Sequence, residues 1–356
     1  MSSQSESLTQ LHGRRLLIAR TVWIALVILA LATWFAGVSP RFNELRTPCA
    51  GEECHILTLS PQEADTLRDT GLSLGFYAAY QVGHEAFSAL IHTLLAGVLF
   101  WRLSNDRMGL LVSLTLMMMG TFLFSNSGPA LLEVYPDLRL PFNLLLSLAA
   151  VSFALLFYLF PDGRFVPSWT RFLAAIWAAY LLIGSFLSGG VLFSTPGLWS
   201  DMAYTLFLSS VVAGLFAQVY RYRRVSGPAQ RQQTKWVVLG FCTIVLGIIA
   251  WIFAIELFPP PSGPARLYFN LGFTSVGFLL ILVLPLSFAI AIMRYRLWDI
   301  DVLINRTLVY GVLTGTLALV YFGSVVVLQG LFRALTGQES QIAVVASTLA
   351  IAGLFL

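Results

Sequence analysis

Polar and ionisable residues recur in one part of an otherwise apolar segment of the chain. At about 100° per residue of an α-helix, their side chains share a sector roughly 100° wide. The sector comprises Gln81, His84, Glu85, Ser88 and His92, with Tyr77 one turn before Gln81. A carboxylate near the middle of a membrane span costs about 2.5–3.5 kcal/mol, so we expect Glu85 to face a helix bundle and to be paired or protonated. The sector predicts either an intramembrane site that binds a polar ligand or senses protons, or hydrogen bonds that hold neighbouring helices together.

Two cysteines, Cys49 and Cys54, lie five residues apart in an acidic stretch of the chain. In an oxidising compartment they can form a disulfide that closes a small loop. The alternative is a cap that binds a ligand or a metal through Cys49, Cys54 and His55. The disulfide is the favoured interpretation, and we expect no resident metal or cofactor.

Composition identifies the elements that must position these residues. Of 356 residues, 58% are hydrophobic and 11% are charged, whereas soluble domains have about 45–50% apolar and 25% charged residues. The mean hydropathy of +0.81 agrees. This balance excludes a soluble enzyme and a disordered chain, and it predicts an all-α integral membrane protein. The net charge of +4 comes from basic clusters between apolar runs, which favours anionic lipid headgroups over nucleic acid as the partner.

Ten apolar segments are long enough to be considered as transmembrane helices, since a span takes about 20 residues. They are Leu16–Val38, Leu72–Trp101, Met108–Ser125, Pro141–Phe160, Phe172–Phe193, Ala203–Tyr220, Trp236–Phe258, Leu267–Met293, Val302–Phe332 and Gln341–Leu356. The first is longer than a signal-peptide core and is predicted to be a retained anchor. This divides the chain into a cytoplasmic tail (1–15), the first helix (16–38), an extracytoplasmic loop (39–71) and helices two to ten (72–356).

The distribution of basic residues predicts the orientation of these helices. With the N-terminus in the cytoplasm, 15 of the 21 Lys and Arg residues fall on the inner side. The remaining six fall on the outer side and are Arg41, Arg46, Arg68, Arg139, Arg266 and Arg333. Both ends of the chain are therefore predicted to be cytoplasmic.

Two shorter segments carry local signals. Within the outer loop, Ser60 is a plausible N-cap, Pro61 suits a first helical turn and Glu63 completes a capping box, so a short helix is predicted from Gln62 to Thr70. Between the eighth and ninth spans, charges alternate with bulky apolar residues, which predicts an interfacial elbow or relay at the inner surface. Its charged residues are Arg294, Arg296, Asp299, Asp301 and Arg306.

Three predicted cytoplasmic motifs together resemble a known membrane region. They are Phe160–Pro167 (FPDGRFVP), Gln230–Trp236 (QRQQTKW) and the segment from Arg294 to Tyr310. In combination they resemble the N-terminal multi-pass region of bacterial sensor histidine kinases and kinase-like proteins, including relatives of the competence quorum-sensing kinase. The resemblance implies a dimeric signal-receiving module in the bacterial inner membrane, with an unknown ligand and a downstream response regulator. It also implies that the last helix continues into a cytoplasmic domain, as expected from an apolar segment that runs to Leu356 without a polar stop.

The chain departs from that family where catalysis is concerned. Its histidines are His12, His55, His84 and His92, of which His12 alone is predicted to be cytoplasmic, and its neighbours do not match a phosphoacceptor helix. No ATP-binding motif is present, so we expect no enzymatic activity in this chain. The competing hypothesis is a polytopic transporter or lipid-handling permease that uses the polar sector as its substrate path. An intramembrane enzyme ranks lowest.

Overall fold

The computed structural model describes residues 10–49, 57–187, 198–227, 231, 234–244, 246–247 and 264–294. Within these ranges the chain forms helices and no strand, apart from one isolated bridge between Gln10 and Asp106. The described part of the chain is therefore all-α, as the composition predicts.

The helices are numbered here in chain order. They are α1 (Gly13–Arg46), α2 (Pro61–Asp69), α3 (Leu74–Leu103), α4 (Arg107–Met118), α5 (Ser127–Val134), α6 (Arg139–Leu159), α7 (Thr170–Leu187), α8 (Leu198–Arg224), α9 (Thr234–Ile244) and α10 (Pro264–Arg294). A π-helix (Met119–Leu123) follows α4, and a 3₁₀ turn (Pro136–Leu138) precedes α6.

Six of these helices contain a stretch that is long and apolar enough to cross a membrane. They are α1, α3, α6, α7, α8 and α10, and each overlaps a predicted span. The third predicted span, Met108–Ser125, corresponds to Arg107–Leu123, the first part of a bent pair whose second part is Ser127–Val134, and the pair is called the broken third span here. The short helix α9 overlaps the start of the seventh predicted span, and the ninth and tenth spans lie outside the described residues.

The first helix is longer than predicted. It has 34 residues, about 51 Å at 1.5 Å per residue, and runs eight residues beyond the expected end at Val38. One face carries exposed apolar side chains such as Leu17 and Phe35, while Trp23 and Trp34 are buried on the other. Pro40 lies inside the helix, so the chain stays helical through the segment that was predicted to begin the outer loop.

The bend in the third span has a local cause. After the π-helix, the sequence Ser125-Asn126-Ser127-Gly128-Pro129 interrupts the regular backbone ladder. Proline has no N–H to donate and is best accommodated in a first helical turn, where Pro129 lies in α5. The two helical parts are inclined by 57°, as is typical of a π-bulge followed by a helix break.

The chain divides into two compact units. The first consists of Met1–Glu44, Glu85–Phe241 and Pro285–Ala291, and the second of Leu45–His84, Cys242–Leu284 and Ile292–Leu356.

Small and polar side chains hold the core of the first unit together. The hydroxyls of Ser147 on α6 and Ser185 on α7 lie 2.8 Å apart, and the hydroxyl of Tyr158 donates to the carbonyl of Ser210 on α8 at 3.0 Å. Gly214 on α8 approaches Phe157 so closely that an added Cβ would lie 2.9 Å from its side chain. Close approach at small residues and interhelical hydrogen bonds are typical of helix packing in membranes.

The second unit contains the short outer helix, and its predicted cap is confirmed. The hydroxyl of Ser60 accepts from the Glu63 amide at 3.3 Å, and the Glu63 carboxylate accepts from the Ser60 amide at 2.8 Å. The other oxygen of Glu63 lies 3.3 Å from the Arg266 guanidinium. This capping box and ion pair fix α2, whose bounds differ by one residue at each end from the prediction.

Candidate functional site

The candidate site is built around Glu85 in the first unit. Its side chain is about 10% exposed and its Oε1 lies 3.5 Å from Nε of Arg41 on α1. Arg41 is 2% exposed and also donates from Nη1 to Glu44 Oε2 at 3.0 Å. The predicted need of Glu85 for a partner is thus met by a guanidinium that the sequence analysis assigned to the outer side.

Neutral hydrogen-bond donors complete the site around Glu85. Three of them converge on Glu85 Oε2: the hydroxyls of Ser125 and Ser127, at 2.9 and 3.1 Å, and the backbone N–H of Asn126, at 3.1 Å. The amide side chain of Asn126 lies 3.4 Å from Oε1. Hydrogen bonds to a charged acceptor each contribute about 1.5–3 kcal/mol.

The bend in the third span supplies these donors. Residues 124–126 lie between the π-helix and α5, where the i to i+4 backbone ladder is interrupted. The Asn126 amide therefore has no helical acceptor and is free to donate to a side chain. We call Arg41, Glu44, Glu85 and residues 125–127 the Glu85 cluster.

Helix α1 closes the cluster from another direction. Indole Nε1 of Trp34 donates to the Ser125 hydroxyl at 3.1 Å. One turn further, Gly37 lies so close to the start of α5 that an added Cβ would overlap the Ser127 carbonyl. The cluster thus connects α1, α3 and the broken third span through contacts within the first unit.

Two other residues of the predicted sector, Ser88 and His92, lie in the same unit. His92 is fully buried, and its Nδ1 lies 2.8 Å from the Ser88 carbonyl. A carbonyl only accepts, so Nδ1 carries the proton and Nε2 is the acceptor. Nε2 has no hydrogen-bond partner among the described residues. The ring packs on the π-helix, where an added Cβ at Gly120 would lie 2.6 Å from His92 Cβ.

The remaining two residues of the sector, Gln81 and His84, belong to the second unit. His84 Nδ1 donates to the Tyr80 carbonyl at 2.8 Å, and its ring meets Phe278 at a centroid distance of 5.2 Å. The Tyr80 hydroxyl in turn donates to the Leu271 carbonyl at 2.9 Å. Gln81 is 1% exposed, and its amide atoms have no partner within the described ranges. All five residues of the predicted sector lie on α3, but they do not share partners.

The predicted outer site is described in part. Cys49 is disulfide-bonded, and its backbone N–H donates to the Leu59 carbonyl at 2.8 Å. Cys54 and His55 lie outside the described residues, so the pairing of the two cysteines stays a prediction. Across the described ranges, no group of three or more His, Cys, Asp and Glu side chains is arranged to hold a metal ion.

The predicted inner relay also lies mostly outside the described residues. Arg294 is the last residue of α10. The other members of the predicted set are not described, and these are Arg296, Asp299, Asp301 and Arg306.

The sequence analysis missed a second buried charge, Arg221 on α8. Arg221 is 1% exposed, and its guanidinium binds the Asp162 carboxylate and the carbonyls of Tyr158 and Arg164. One turn earlier, the amide nitrogen of Gln218 donates to the Phe160 carbonyl at 3.1 Å. We call this group the Arg221 cluster.

The Arg221 cluster gives the Phe160–Pro167 motif a structural role. The motif forms the turn between α6 and α7, and Gly163 adopts a positive φ of 75° in it, which glycine accommodates without strain. Arg221 thus donates both to the Asp162 carboxylate of the turn and to the backbone carbonyls of Tyr158 and Arg164 on either side of it. Arg221 lies just beyond the sixth predicted span, and the structure buries it.

Comparison with protein-family models, with curated proteins and with solved structures finds no match to this chain.

Proposed function

We propose that this chain is the membrane part of a histidine-kinase-like receptor in the bacterial inner membrane. It relays an extracytoplasmic or intramembrane stimulus to a cytoplasmic domain. In this proposal ten transmembrane helices place both termini in the cytoplasm, and the chain itself performs no catalytic step. Its partners are a second copy, an anionic inner leaflet, an unidentified ligand and a downstream response regulator.

The observation that carries the proposal is the Glu85 cluster. A relay needs an element with two discrete arrangements whose populations a stimulus can shift. A buried ion pair with directional hydrogen bonds is such an element, since it is either formed or broken. Losing one partner leaves an uncompensated buried charge, which costs about 3–5 kcal/mol. A ligand or proton that competes for Glu85 would therefore release the broken third span from α1 and α3.

The orientation rests on the arginines. With an inner N-terminus, the turn between α6 and α7 and the end of α8 lie on the inner side, and α2 lies on the outer side. This arrangement places most of the basic residues in the cytoplasm, as the positive-inside rule requires. The Glu85 cluster then lies toward the outer half of the membrane, where an extracytoplasmic signal can reach it.

The test joins a histidine-kinase core after Leu356 and measures its autophosphorylation in membranes. We expect Glu85→Gln and His92→Ala each to change the output at least threefold without loss of insertion. Asp201→Asn, which removes an exposed carboxylate on α8, is the matched control and should leave the output unchanged. Normal output from both Glu85→Gln and His92→Ala would reject the proposal.

The broken third span favours a second candidate, a transporter or lipid-handling permease. Discontinuous helices in secondary transporters expose backbone groups that bind substrates within the membrane, and the Asn126 amide at the break already binds a carboxylate. Purified protein in liposomes would distinguish the two functions. Translocation of a fluorescent phospholipid, followed by dithionite quenching, or accumulation of labelled amino acids would favour the permease if Glu85→Gln abolishes it.

A further inference from the structure

An open apolar groove of about 670 Å³ runs along one face of α8 in the first unit. Trp169, just before α7, lines one side, and the rest of the lining comes from α8. These α8 residues include Thr205, Leu208, Ser209, Val212 and Phe216. The groove is distinct from the Glu85 cluster and from the Arg221 cluster.

The spacing of the α8 residues explains the shape of the groove. They recur every three or four positions over twelve residues, so they form one helical stripe about 17 Å long. Ser209 and Ala213 are small and leave a depression between the larger side chains of Leu208, Val212 and Phe216. Those larger side chains are 58%, 61% and 53% exposed. An open apolar depression of this length in a membrane helix matches an extended hydrocarbon chain.

The stripe ends in aromatic rings and then in positive charge. The Phe216 ring lies 6.2 Å from Trp169 and 6.2 Å from Tyr220 by ring centroids. Arg223 follows Phe216 by seven residues, two helical turns along the same face. Aromatic rings of this kind mark the boundary between hydrocarbon and headgroups, so Arg223 lies at headgroup level above the groove.

The positive charge at this end is available to a ligand. Arg223 and Arg224 are exposed, and neither forms an ion pair with an acidic side chain in the described ranges. The nearby Asp162 is engaged by the buried Arg221. The groove therefore combines an apolar channel with an uncompensated guanidinium at its polar end, which complements an acyl chain joined to an anionic headgroup.

We propose that this groove binds an anionic phospholipid, with one acyl chain along α8 and the headgroup phosphate on Arg223. The proposal rests on the anionic inner leaflet that the proposed function names as a partner, but it involves no residue of the Glu85 cluster, so lipid retention and kinase output can fail separately.

The test uses the full chain in nanodiscs that contain equal amounts of phosphatidylglycerol and phosphatidylcholine with identical acyl chains. Native mass spectrometry of the released protein counts the retained lipids and the copies of the chain. We expect retained phosphatidylglycerol to exceed phosphatidylcholine at least fivefold. Arg223→Gln should bring this ratio close to one, and Ser209→Phe, which fills the depression from an exposed position, should lower total retention at least fivefold.

Two matched variants control for charge and bulk elsewhere on the membrane surface. Arg20→Gln removes an exposed cation from α1, and Ala175→Phe adds a ring at an exposed position of α7, so both should retain lipid like the unmodified chain. Retention that neither Arg223→Gln nor Ser209→Phe alters would overturn the proposal. A loss of dimers in Ser209→Phe with unchanged lipid retention would also overturn it, because the groove would then be an interface between copies.

Discussion

At the scale of single residues, Glu85 depends more on neutral donors than on its cation. The guanidinium of Arg41 lies 3.5 Å away, whereas the two serine hydroxyls and the Asn126 amide lie within 3.1 Å. Arg41 is also shared with Glu44. The charge of Glu85 is therefore stabilised chiefly by the geometry of the helix break, and the cluster forms as a unit.

The coupling within this unit can be measured with a double-mutant cycle. We expect Arg41→Gln to lower the free energy of unfolding in detergent by about 3–5 kcal/mol, because it removes the guanidinium that lies beside the buried Glu85 carboxylate. Adding Glu85→Gln should recover part of that loss, with a coupling of about 1–3 kcal/mol.

The exposed pair of Arg68 and Asp65, 2.8 Å apart on α2, is the control for this cycle. Arg68→Gln and Asp65→Asn, singly and together, should show no measurable coupling, since exposed pairs are screened by solvent. Strictly additive losses at Arg41 and Glu85 would contradict the assignment of a coupled cluster.

The Arg221 cluster leads to a separate prediction about the turn between α6 and α7. Arg221→Met removes the donor that satisfies Asp162 and two backbone carbonyls, so the turn should open more often. Tryptic cleavage after the exposed Arg164 in inside-out membranes should then become at least fivefold faster. Arg224→Met, which removes an exposed arginine on the same helix, should leave the rate unchanged, and equal rates in the two variants would refute a role for Arg221 in holding the turn.

Some contacts of these residues could be predicted from the sequence and others could not, for physical reasons. The Ser60 and Glu63 cap was predictable because both partners lie within one helical turn. The need of Glu85 for a partner was predictable from the cost of a buried charge. The partner itself was missed, because Ser39 and Pro40 suggested that the helix ended before Arg41, and because hydrogen bonds over about 40 residues leave no local pattern.

At the scale of elements, the principal difference from the sequence analysis is the break in the third span. Hydropathy predicts one helix over Met108–Ser125, which the structure forms as Arg107–Leu123, but it does not predict the second helix Ser127–Val134 or the bend between the two. The run Ser125-Asn126-Ser127-Gly128-Pro129 was the available signal, because polar residues followed by proline favour a helix start. The break places the Asn126 backbone amide and two serine hydroxyls within hydrogen-bond distance of Glu85. The geometry of the helices therefore determines the chemistry of the site.

Packing of α1 on α5 should be sensitive to any side chain at Gly37. An added Cβ there would overlap the Ser127 carbonyl, so Gly37→Val must push the two helices apart and strain the Glu85 cluster. We expect Tm in detergent to fall by about 3–8 °C, as for overpacking that costs 1–3 kcal/mol. Gly83→Ala is the matched control, since nothing lies within 4 Å of an added Cβ there. A Gly37→Val protein as stable as Gly83→Ala would show that the close approach is unimportant.

At the scale of the whole molecule, the proposed orientation places the Glu85 cluster toward the outer side of the membrane and the Arg221 cluster toward the inner side. The positive-inside rule places α2 and the 3₁₀ turn before α6 outside, and the α3–α4 turn and the end of α8 inside.

Single cysteines at four exposed positions test this orientation: Asp65 and Asp137 on the predicted outer side, and Arg107 and Arg224 on the predicted inner side. An impermeant maleimide should label Asp65→Cys and Asp137→Cys in intact spheroplasts, and Arg107→Cys and Arg224→Cys only after permeabilisation. A Cys242→Ser background removes the thiol that is free within the described part of the chain. Labelling of Arg224→Cys from outside would show that the orientation is the reverse of the proposed one. The Arg221 cluster would then lie toward the outer surface, and the Glu85 cluster toward the cytoplasm, where it could not receive an extracytoplasmic signal.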